Sequence, residues 1–208
     1  MQLRWLALIV GLCVLGLRPH PAGTASQNGA TPPRPSGLAG QFLVAAEEMG
    51  DPRFAKSVIL MIHHDASGAM GLIVNRPIAE VPLSRVLEGI GLDGSGMQGK
   101  IRLHYGGPVE PRQGLTLHTP EYAIEGTLRV AAGIALTGNP EVIRAIGEGR
   151  GPQRYLVALG YAGWASGQLE AEIKAGGWFS VPADQAVVFD EQFDTKWERA
   201  KAKREITL

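Results

Sequence analysis

Four histidines in the body of the chain, His63, His64, His104 and His118, have the side chains best suited to catalysis or metal binding. His63 and His64 are adjacent in a predicted strand, so they point to opposite faces and cannot easily bind one metal ion. His64 and Asp65, with a histidine from a neighbouring strand, could form a mixed nitrogen and oxygen metal site or an acid–base pair. The sequence lacks two histidines at i, i+4 helical spacing, which favours ordinary strand-end hydrogen bonding instead. We therefore predict no metal site and no cofactor, with His64, Asp65 and His118 as the candidate catalytic residues.

A second feature is the segment Gly160-Tyr-Ala-Gly-Trp-Ala-Ser-Gly-Gln168, which is predicted to be a loop between a buried strand and a helix. The first backbone N–H groups of that helix, from Gly167 onwards, would favour an anion, and the two aromatic side chains could form the walls of a pocket. The alternative is that both aromatic residues pack in the core and the glycines only allow the turn. Tyr161, Trp164, Gly167 and Gln168 are the candidate ligand-binding residues.

Two glycine patterns have the spacing of a dinucleotide-binding fingerprint: Gly89-x-Gly91-x-x-Gly94 and Gly94-x-Gly96-x-x-Gly99. A working fingerprint follows a strand and opens a helix, because the pyrophosphate rests on the helix N-terminus. These glycines instead follow a predicted helix and lead into a strand, so we interpret them as loop composition. The sequence also has no P-loop, HExxH or GxSxG motif, and common ATPase, zincin and α/β-hydrolase functions therefore lack support.

Composition restricts the class of protein further. The 208 residues are 45% hydrophobic, which is enough for one domain with a real core. The 20 basic residues balance the 20 acidic residues, whereas a dedicated nucleic-acid-binding protein has a basic excess. The single cysteine excludes a disulfide framework and a cysteine-clustered metal site.

The first 25 residues have the three regions of a secretory signal peptide. Met1 to Arg4 is basic, Trp5 to Leu17 is an apolar run too short to span a bilayer comfortably, and small residues lead up to a predicted cleavage site near Ala25. The alternatives are an uncleaved membrane anchor and a start codon assigned too far upstream. We therefore expect a periplasmic or secreted protein with no stable membrane span after cleavage, and the alternative location is the cytoplasm.

Cleavage near Ala25 would change the chemistry of the chain. It would remove the only cysteine, Cys13, together with Arg4 and Arg18, but no acidic residue. The mature protein would therefore be thiol-free and slightly negative, without a cysteine nucleophile. Residues 26–37 have no large apolar side chain and are predicted to be a flexible linker rich in proline, glycine and serine, followed by a single domain at 38–208.

The domain alternates short predicted strands with short predicted helices. Strands are predicted at 41–46, 57–63, 69–75, 101–105, 115–119, 127–136, 155–159, 178–181 and 186–189. Helices are predicted from Pro82 to about Gly89, at 140–147, at 166–174 and from Asp194 onwards, the last one burying Trp197 and Ala200. This order lacks regular βαβ alternation and indicates an α+β fold.

Several sequence blocks between residues 38 and about 203 form a specific combination. They are Gly40-Gln-Phe-Leu-Val-Ala45, Met49-x-Asp51-Pro52-x-Phe54-x-x-Ser57-Val58, Gly68-Ala-Met-Gly-Leu-Ile-Val-Asn-Arg-Pro77, Gly106-Gly-Pro-Val109, Gly114-x-x-Leu117-His118, Gly160-Tyr-Ala-Gly-Trp164-x-x-Gly167-Gln-Leu-Glu170 and Trp197-x-x-Ala200. The combination resembles the YqgE/AlgH family of bacterial proteins. The resemblance implies an α+β fold whose bifurcated, mostly antiparallel sheet forms a pseudo-barrel with short helices packed outside. Members are mostly of unknown function, and no catalytic residue is implied.

The chain departs from the family pattern at two places. Members often have Cys-Glu-His where this sequence has Ile62-His63-His64, and members usually lack an export signal. These observations favour an exported, non-catalytic ligand- or protein-binding or regulatory module, whose partner is an unknown small molecule or protein and not a nucleic acid. One alternative is a hydrolase or metal-assisted enzyme using His64 and Asp65. The other is a cytoplasmic transcriptional regulator, which requires the leader to be a misassigned start.

Overall fold

The computed structural model describes residues 37–205. The predicted signal peptide, and the predicted linker except for Gly37, lie outside the described residues. The ten strands of the described part are β1 (Gln41–Ala45), β2 (Val58–Asp65), β3 (Gly68–Ile73), β4 (Pro77–Pro82), β5 (Lys100–Tyr105), β6 (Val109–His118), β7 (Leu128–Ala131), β8 (Ile134–Thr137), β9 (Tyr155–Ala165) and β10 (Trp178–Pro182). The helices are α1 (Leu83–Gly89), α2 (Glu141–Gly147), α3 (Gln168–Lys174), α4 (Gln185–Phe189) and α5 (Lys196–Glu205).

The strands form one sheet that forks at β9. Along the main path the order is β10-β1-β2-β3-β9-β6-β8-β7, and β4 and β5 form a separate branch that joins at β9. One side of β9 pairs with β6; the other side pairs with β5 through Val157–Leu159 and with β3 through Ala162–Ala165. Only the pairing of β5 with β9 is parallel. The curled, mostly antiparallel sheet forms a half-barrel with short helices around it, which confirms the predicted α+β fold class.

Glycines permit the close approach of two strands at the fork. A Cβ atom on Gly106 would lie 2.2 Å from the carbonyl oxygen of Gly160, and one on Gly107 would lie 2.1 Å from the carbonyl carbon of Tyr161. Gly160 itself has a φ of +71°, a left-handed backbone conformation that residues with a side chain rarely adopt. The Gly106-Gly107-Pro108 segment is therefore the point where the chain leaving β5 passes closely over β9.

Alternation along β1 shows that the sheet is buried on both faces. Phe42 and Val44 belong to the core cluster that includes Trp197 of α5, whereas Leu43 and Ala45 belong to a second cluster. The continuous apolar run of β2 divides in the same way, with Val58 and Leu60 in the first cluster and Ile59 and Met61 in the second, so both faces of this strand are covered. A third cluster packs α1 and α2 against β5 and β9.

Helices α2 and α4 begin at a side chain that accepts a backbone hydrogen bond, whereas α1 and α3 have no side-chain cap. The side chain of Asn139 accepts a hydrogen bond from the backbone N–H of Glu141 at 3.0 Å, at the start of α2. The last helix buries Trp197 and Ala200 as predicted, and the indole N–H of Trp197 donates to the carbonyl of Ala45. No helix within residues 37–205 is long and apolar enough to cross a membrane.

Three predictions of secondary structure were wrong. Residues 186–189 form α4 and not a strand, because the side chain of Asp184 accepts a hydrogen bond from the N–H of Ala186 and starts a helix there. The strand predicted at 127–136 is the hairpin of β7 and β8, which turns at Gly133 with a φ of +73°. Residues 160–165 continue β9 and are not a loop.

Candidate functional site

A cavity of about 500 Å³ lies at one end of β9 and is bounded by α3, the start of β10 and the β1–β2 and β5–β6 connections. We call it the aromatic cleft. It is lined by Met49, Asp51, Arg53, Phe54, Pro108, Val109, Gly163, Trp164, Gln168, Glu172, Ala175, Gly177 and Trp178. Three of the sequence blocks that carry the family resemblance, far apart along the chain, meet at this cleft.

Three aromatic rings pack against one another in the wall of the cleft. The rings of Phe54 and Trp164 are stacked with centroids 6.4 Å apart. Trp178 meets both rings edge-on, at 5.6 Å from Phe54 and 5.9 Å from Trp164. Trp164 and Trp178 are buried, so these rings form a rigid wall of which only a small part is open to the cleft.

The carboxylate of Glu172 fixes both indole rings. Its Oε2 accepts hydrogen bonds from the indole nitrogens of Trp164 at 2.9 Å and of Trp178 at 2.8 Å. Its Oε1 accepts from the side-chain amide of Gln168 at 2.9 Å, and the amide oxygen of Gln168 accepts from the backbone N–H of Ala165. Gln168 and Glu172 are one turn apart on α3, so the short helix holds both against the end of β9.

An ion pair lies in the lining of the cleft. The guanidinium of Arg53 binds the carboxylate of Asp51 through two of its nitrogens, with a shortest distance of 2.7 Å. These side-chain hydrogen bonds, together with the backbone N–H of Arg53, lower the pKa of Asp51. The guanidinium lies 5.7 Å from the centroid of Phe54, so this cation covers part of the aromatic surface.

The structure brings two of the four predicted ligand-binding residues into this cleft. Trp164 and Gln168 line it, whereas Tyr161 packs against the core cluster on the other face of the sheet. Gly167 precedes α3 with a φ of +75° and supplies a turn. The carboxylate of Glu170 occupies the first turn of α3, where its own backbone N–H and then the side chain of His64 lower its pKa.

His64 and Asp65 make separate interactions on opposite sides of β2. The Nδ1 of His64 accepts from the backbone N–H of Leu38 at 3.0 Å, so Nε2 carries the proton and donates to Glu170 at 2.8 Å. Asp65 instead has a carboxylate oxygen 3.1 Å from Nε2 of His63, and it accepts hydrogen bonds from the side chain and the backbone N–H of Ser67. These hydrogen bonds from Ser67 lower the pKa of Asp65. The structure therefore does not join His64 and Asp65 as an acid–base pair.

His118 is distant from both of these residues. It is fully buried in β6, where Nδ1 lies 3.0 Å from the carbonyl oxygen of Thr119, and it pairs with Tyr155 at the start of β9. His64 is linked through Ala69 to Trp164, near the other end of β9. Tyr155 and Trp164 are separated by about 30 Å of extended strand. Within residues 37–205, no group of three or more His, Cys, Asp or Glu residues could hold a metal ion.

The sequence analysis missed Phe54, Glu172 and Trp178 as residues of the site. One signal was available for Glu172, because it follows Gln168 by four residues and shares its helical face. Phe54 and Trp178 were not identifiable, since only the pairing of β1 with β10 and of β3 with β9 brings them to Trp164.

The forked sheet and the aromatic cleft define a mostly antiparallel α+β domain with a small-molecule-sized cleft on one side. A sequence model of the family described as AlgH-like (DUF179) matches residues 42–208. The chain belongs to this family, the YqgE/AlgH family, as its sequence blocks predict.

Individual relatives agree with this assignment. A UPF0301 protein of Rhodospirillum rubrum is 43% identical over 166 residues, which cover 80% of this chain and 86% of the relative. A UPF0301 protein of Methylococcus capsulatus is 46% identical over 161 residues, 77% of this chain and 88% of the relative.

Two solved structures share the fold. The solution structure of AlgH from Pseudomonas aeruginosa matches with a TM-score of 0.72 and 36% identity, over 84% of this chain and 93% of that one. The crystal structure of a Corynebacterium diphtheriae protein matches with a TM-score of 0.61 and 24% identity, over 80% of this chain and 86% of that one, and shows the fold alone.

Proposed function

We propose that this protein is a non-catalytic binding module whose aromatic cleft takes a flat organic ligand that is neutral or positively charged. The observation that carries the proposal is the double hydrogen bond of Glu172, which holds two indole rings rigidly beside a cavity of about 500 Å³. Rigid aromatic walls with a few fixed polar groups are typical of small-molecule sites.

The charges of the lining favour the class of ligand proposed. Asp51 and Glu172 contribute two carboxylates, and Arg53 contributes the single cation. The net negative charge of the lining and the aromatic surface would attract a cationic ligand, whereas an anionic ligand would be repelled.

The same groups support binding over catalysis. Asp51 and Glu172 are the carboxylates of the lining, and each is already engaged, Asp51 by Arg53 and Glu172 by the two indoles. A general acid or base must instead reach the reacting group of the substrate. The alternative enzyme built on His64 and Asp65 has less support, because these side chains face different partners.

Nuclear magnetic resonance on the full chain tests the cleft directly. The indole N–H signals of Trp164 and Trp178 report the cleft, and the indole of Trp197, which donates to Ala45, is an internal reference outside it. We expect phenethylamine to shift the two cleft signals saturably and to leave Trp197 unchanged. We expect 3-phenylpropionate, which has a similar shape and the opposite charge, to have no effect at the same concentration.

The variant Glu172→Gln provides the matched control. It keeps hydrogen-bond acceptors for the indoles but removes the negative charge, so the affinity for phenethylamine should fall several-fold. Absence of saturable shifts with phenethylamine, or equal binding of the two probes, would contradict the proposed ligand class.

We also propose that the protein is exported and acts outside the cytoplasm. The support is the sequence of residues 1–25, with its basic start, apolar run and small residues before the predicted cleavage site. Cell fractionation followed by intact-mass measurement tests this. A periplasmic or secreted form lacking about the first 25 residues would agree, whereas a full-length cytoplasmic form would overturn export and favour the cytoplasmic regulator.

A further inference from the structure

A second cavity, of about 320 Å³, lies near the other end of β9, between β5 and the segment that follows α4. We call it the basic cavity. The basic and aromatic lining residues used below are Lys100, Arg102, His104, Arg154, Phe189 and Phe193. It shares no lining residue with the aromatic cleft, so an inference from it is independent of the function proposed above.

Three carboxylates also line the basic cavity, those of Glu80, Asp190 and Glu191, and all three are paired with arginines. Arg102 binds Glu80 at 2.6 Å and Glu191 at 3.2 Å. Arg199 binds Asp190 at 2.6 Å. Arg102 is a single cation shared by two carboxylates, so these pairs together leave one negative charge.

Three further cations, Lys100, Arg154 and Lys196, outweigh the charge left by these pairs. Across the described part of the chain, neither Lys100 nor Arg154 makes an ion pair, and the guanidinium of Arg154 lies 5.5 Å from the centroid of Phe189. Lys196 is fully buried close by, with its ammonium 4.8 Å from the centroid of Phe193. The region thus has an excess of cations and favours an anion.

His104 adds a hydrogen-bond acceptor to this basic environment. Its side chain is 4% exposed, and Nδ1 lies 3.1 Å from the carbonyl oxygen of Val157. A carbonyl only accepts, so Nδ1 carries the proton and Nε2 is left with a lone pair. Nε2 is buried and, within residues 37–205, has no hydrogen-bond partner. Buried polar atoms without partners are rare in proteins and costly, so this one requires an explanation.

We propose that the basic cavity binds a protonated oxyanion of the phosphate class, with Lys100 and Arg154 facing its charge and Nε2 of His104 accepting its O–H. Inorganic phosphate has both a negative charge and an O–H group near neutral pH. Sulfate has a similar size and charge but no O–H. The lone pair of Nε2 would repel an unprotonated oxygen, and the site should therefore discriminate phosphate from sulfate.

Burial, with the charges of Lys196 and Arg102, lowers the pKa of His104 to about 4. The imidazole therefore stays neutral, and Nε2 stays an acceptor, at the pH values used for the test below.

Calorimetric titration of the full chain with sodium phosphate and sodium sulfate, at pH 7.5 and equal ionic strength, tests the proposal. We expect phosphate to bind at least about tenfold more tightly than sulfate, since a buried site with an unmatched polar group rejects the wrong ligand strongly. Equal affinities, or no binding of phosphate, would overturn the proposal.

Methyl phosphate distinguishes free phosphate from a phosphate monoester as the source of the anion. The second pKa of a monoester is about 6, so methyl phosphate has no O–H at pH 7.5 and regains one at pH 5.5. We expect it to resemble sulfate at pH 7.5. Binding at pH 5.5 would extend the site to monoesters, and failure at both pH values would restrict it to free phosphate. Binding as tight as phosphate at pH 7.5 would overturn the role of His104.

Two variants and a control locate the site. Arg154→Met removes an exposed cation of the lining and should weaken phosphate binding tenfold or more, whereas Arg129→Met, at an exposed position of β7 outside the cavity, should leave it unchanged. His104→Asn keeps a donor for Val157 but leaves no acceptor at the position of Nε2, because its side chain is shorter, so the preference for phosphate over sulfate should disappear. If that variant does not fold, the comparison of the two anions in the native protein still decides the question. Unchanged phosphate binding in Arg154→Met would overturn the assignment.

Discussion

Trp164 and Trp178 are joined through a single oxygen atom, because both indole nitrogens donate to Oε2 of Glu172, at 2.9 and 2.8 Å. The two rings come from β9 and β10, which lie at different places in the sheet and are not neighbours. One carboxylate on α3 therefore sets the relative orientation of two walls of the aromatic cleft.

Replacing Glu172 with leucine should destabilise the protein. Two mostly buried indole N–H groups would lose their acceptor, and each such loss costs about 1–3 kcal/mol. We expect the free energy of unfolding of Glu172→Leu, measured with denaturant, to fall by about 2 kcal/mol or more. Glu172→Gln keeps an acceptor oxygen and should stay within about 1 kcal/mol of the native protein. A neutral effect of leucine would show that the shared carboxylate contributes little to stability.

Alanine at Gly106 should be poorly tolerated. Its Cβ atom would lie 2.2 Å from the carbonyl oxygen of Gly160. The backbone at both glycines is fixed by the fork, so neither can move away easily. We expect Gly106→Ala to lower the midpoint of thermal unfolding, with a loss of about 2 kcal/mol or more. Gly89→Ala is the control, because a Cβ there has no neighbour within 4 Å and lies in α1. Alanine at that position should be neutral or stabilising by up to about 1 kcal/mol. Similar effects of the two substitutions would argue against a steric requirement at the fork.

Stability should increase as the pH rises from 8 to 10, and Lys196 should be the cause. Its buried ammonium donates to the carbonyls of Val74 and Val188, and burial lowers its pKa from 10.5 to about 8. Between these values the unfolded chain keeps a proton that the folded protein has released, so raising the pH favours the folded state. Denaturant unfolding across this range should show the increase, and Lys196→Met should lack it. Burial also raises the pKa of Tyr155 above 10.0, which opposes the trend only at higher pH. A flat profile in the native protein would contradict the assignment.

The stability of the folded protein should decrease on acidification, and His104 should contribute to this loss. Burial, with the nearby charges of Lys196 and Arg102, lowers its pKa from 6.5 to about 4, so the folded protein holds this imidazole neutral. Below pH 6.5 the unfolded chain gains a proton that the folded protein does not, and the stability present above pH 6.5 is lost progressively towards pH 4. The full difference corresponds to about 3 kcal/mol. Urea unfolding between pH 7 and pH 5 should show a smaller loss in His104→Asn than in the native protein. An equal loss in both would mean that other groups cause it.

Much of the fold was predictable because periodicity and capping are local signals. The strand predicted at 57–63 and the helix predicted at 140–147 correspond to β2 and α2. The segment that contains Val187 and Val188 was too short for its period to separate a helix from a strand, and the cap at Asp184 decided the outcome. The turn at Gly133 was missed because the apolar pattern continues on both sides of it.

The candidate site was less predictable because it depends on pairing between distant strands. Trp164 and Tyr161 were grouped as walls of one pocket on the assumption of a loop. In the structure β9 continues through both positions, and their side chains pack in different core clusters. In the sequence, Glu172 is one of several charged residues of a short predicted helix. Only the tertiary structure shows that two indoles lie beside it.

The strand shared by both branches of the sheet also has a consequence for biosynthesis. Strands β3, β5 and β6 each pair along one edge with β2, β4 and β8, respectively. The other edge of each pairs with β9. A nascent chain that has not yet emerged from the ribosome through residue 165 therefore carries three open hydrogen-bonding edges at once. Such edges invite misassembly and aggregation. Until β9 emerges, the nascent chain is therefore exposed to misassembly at these three edges.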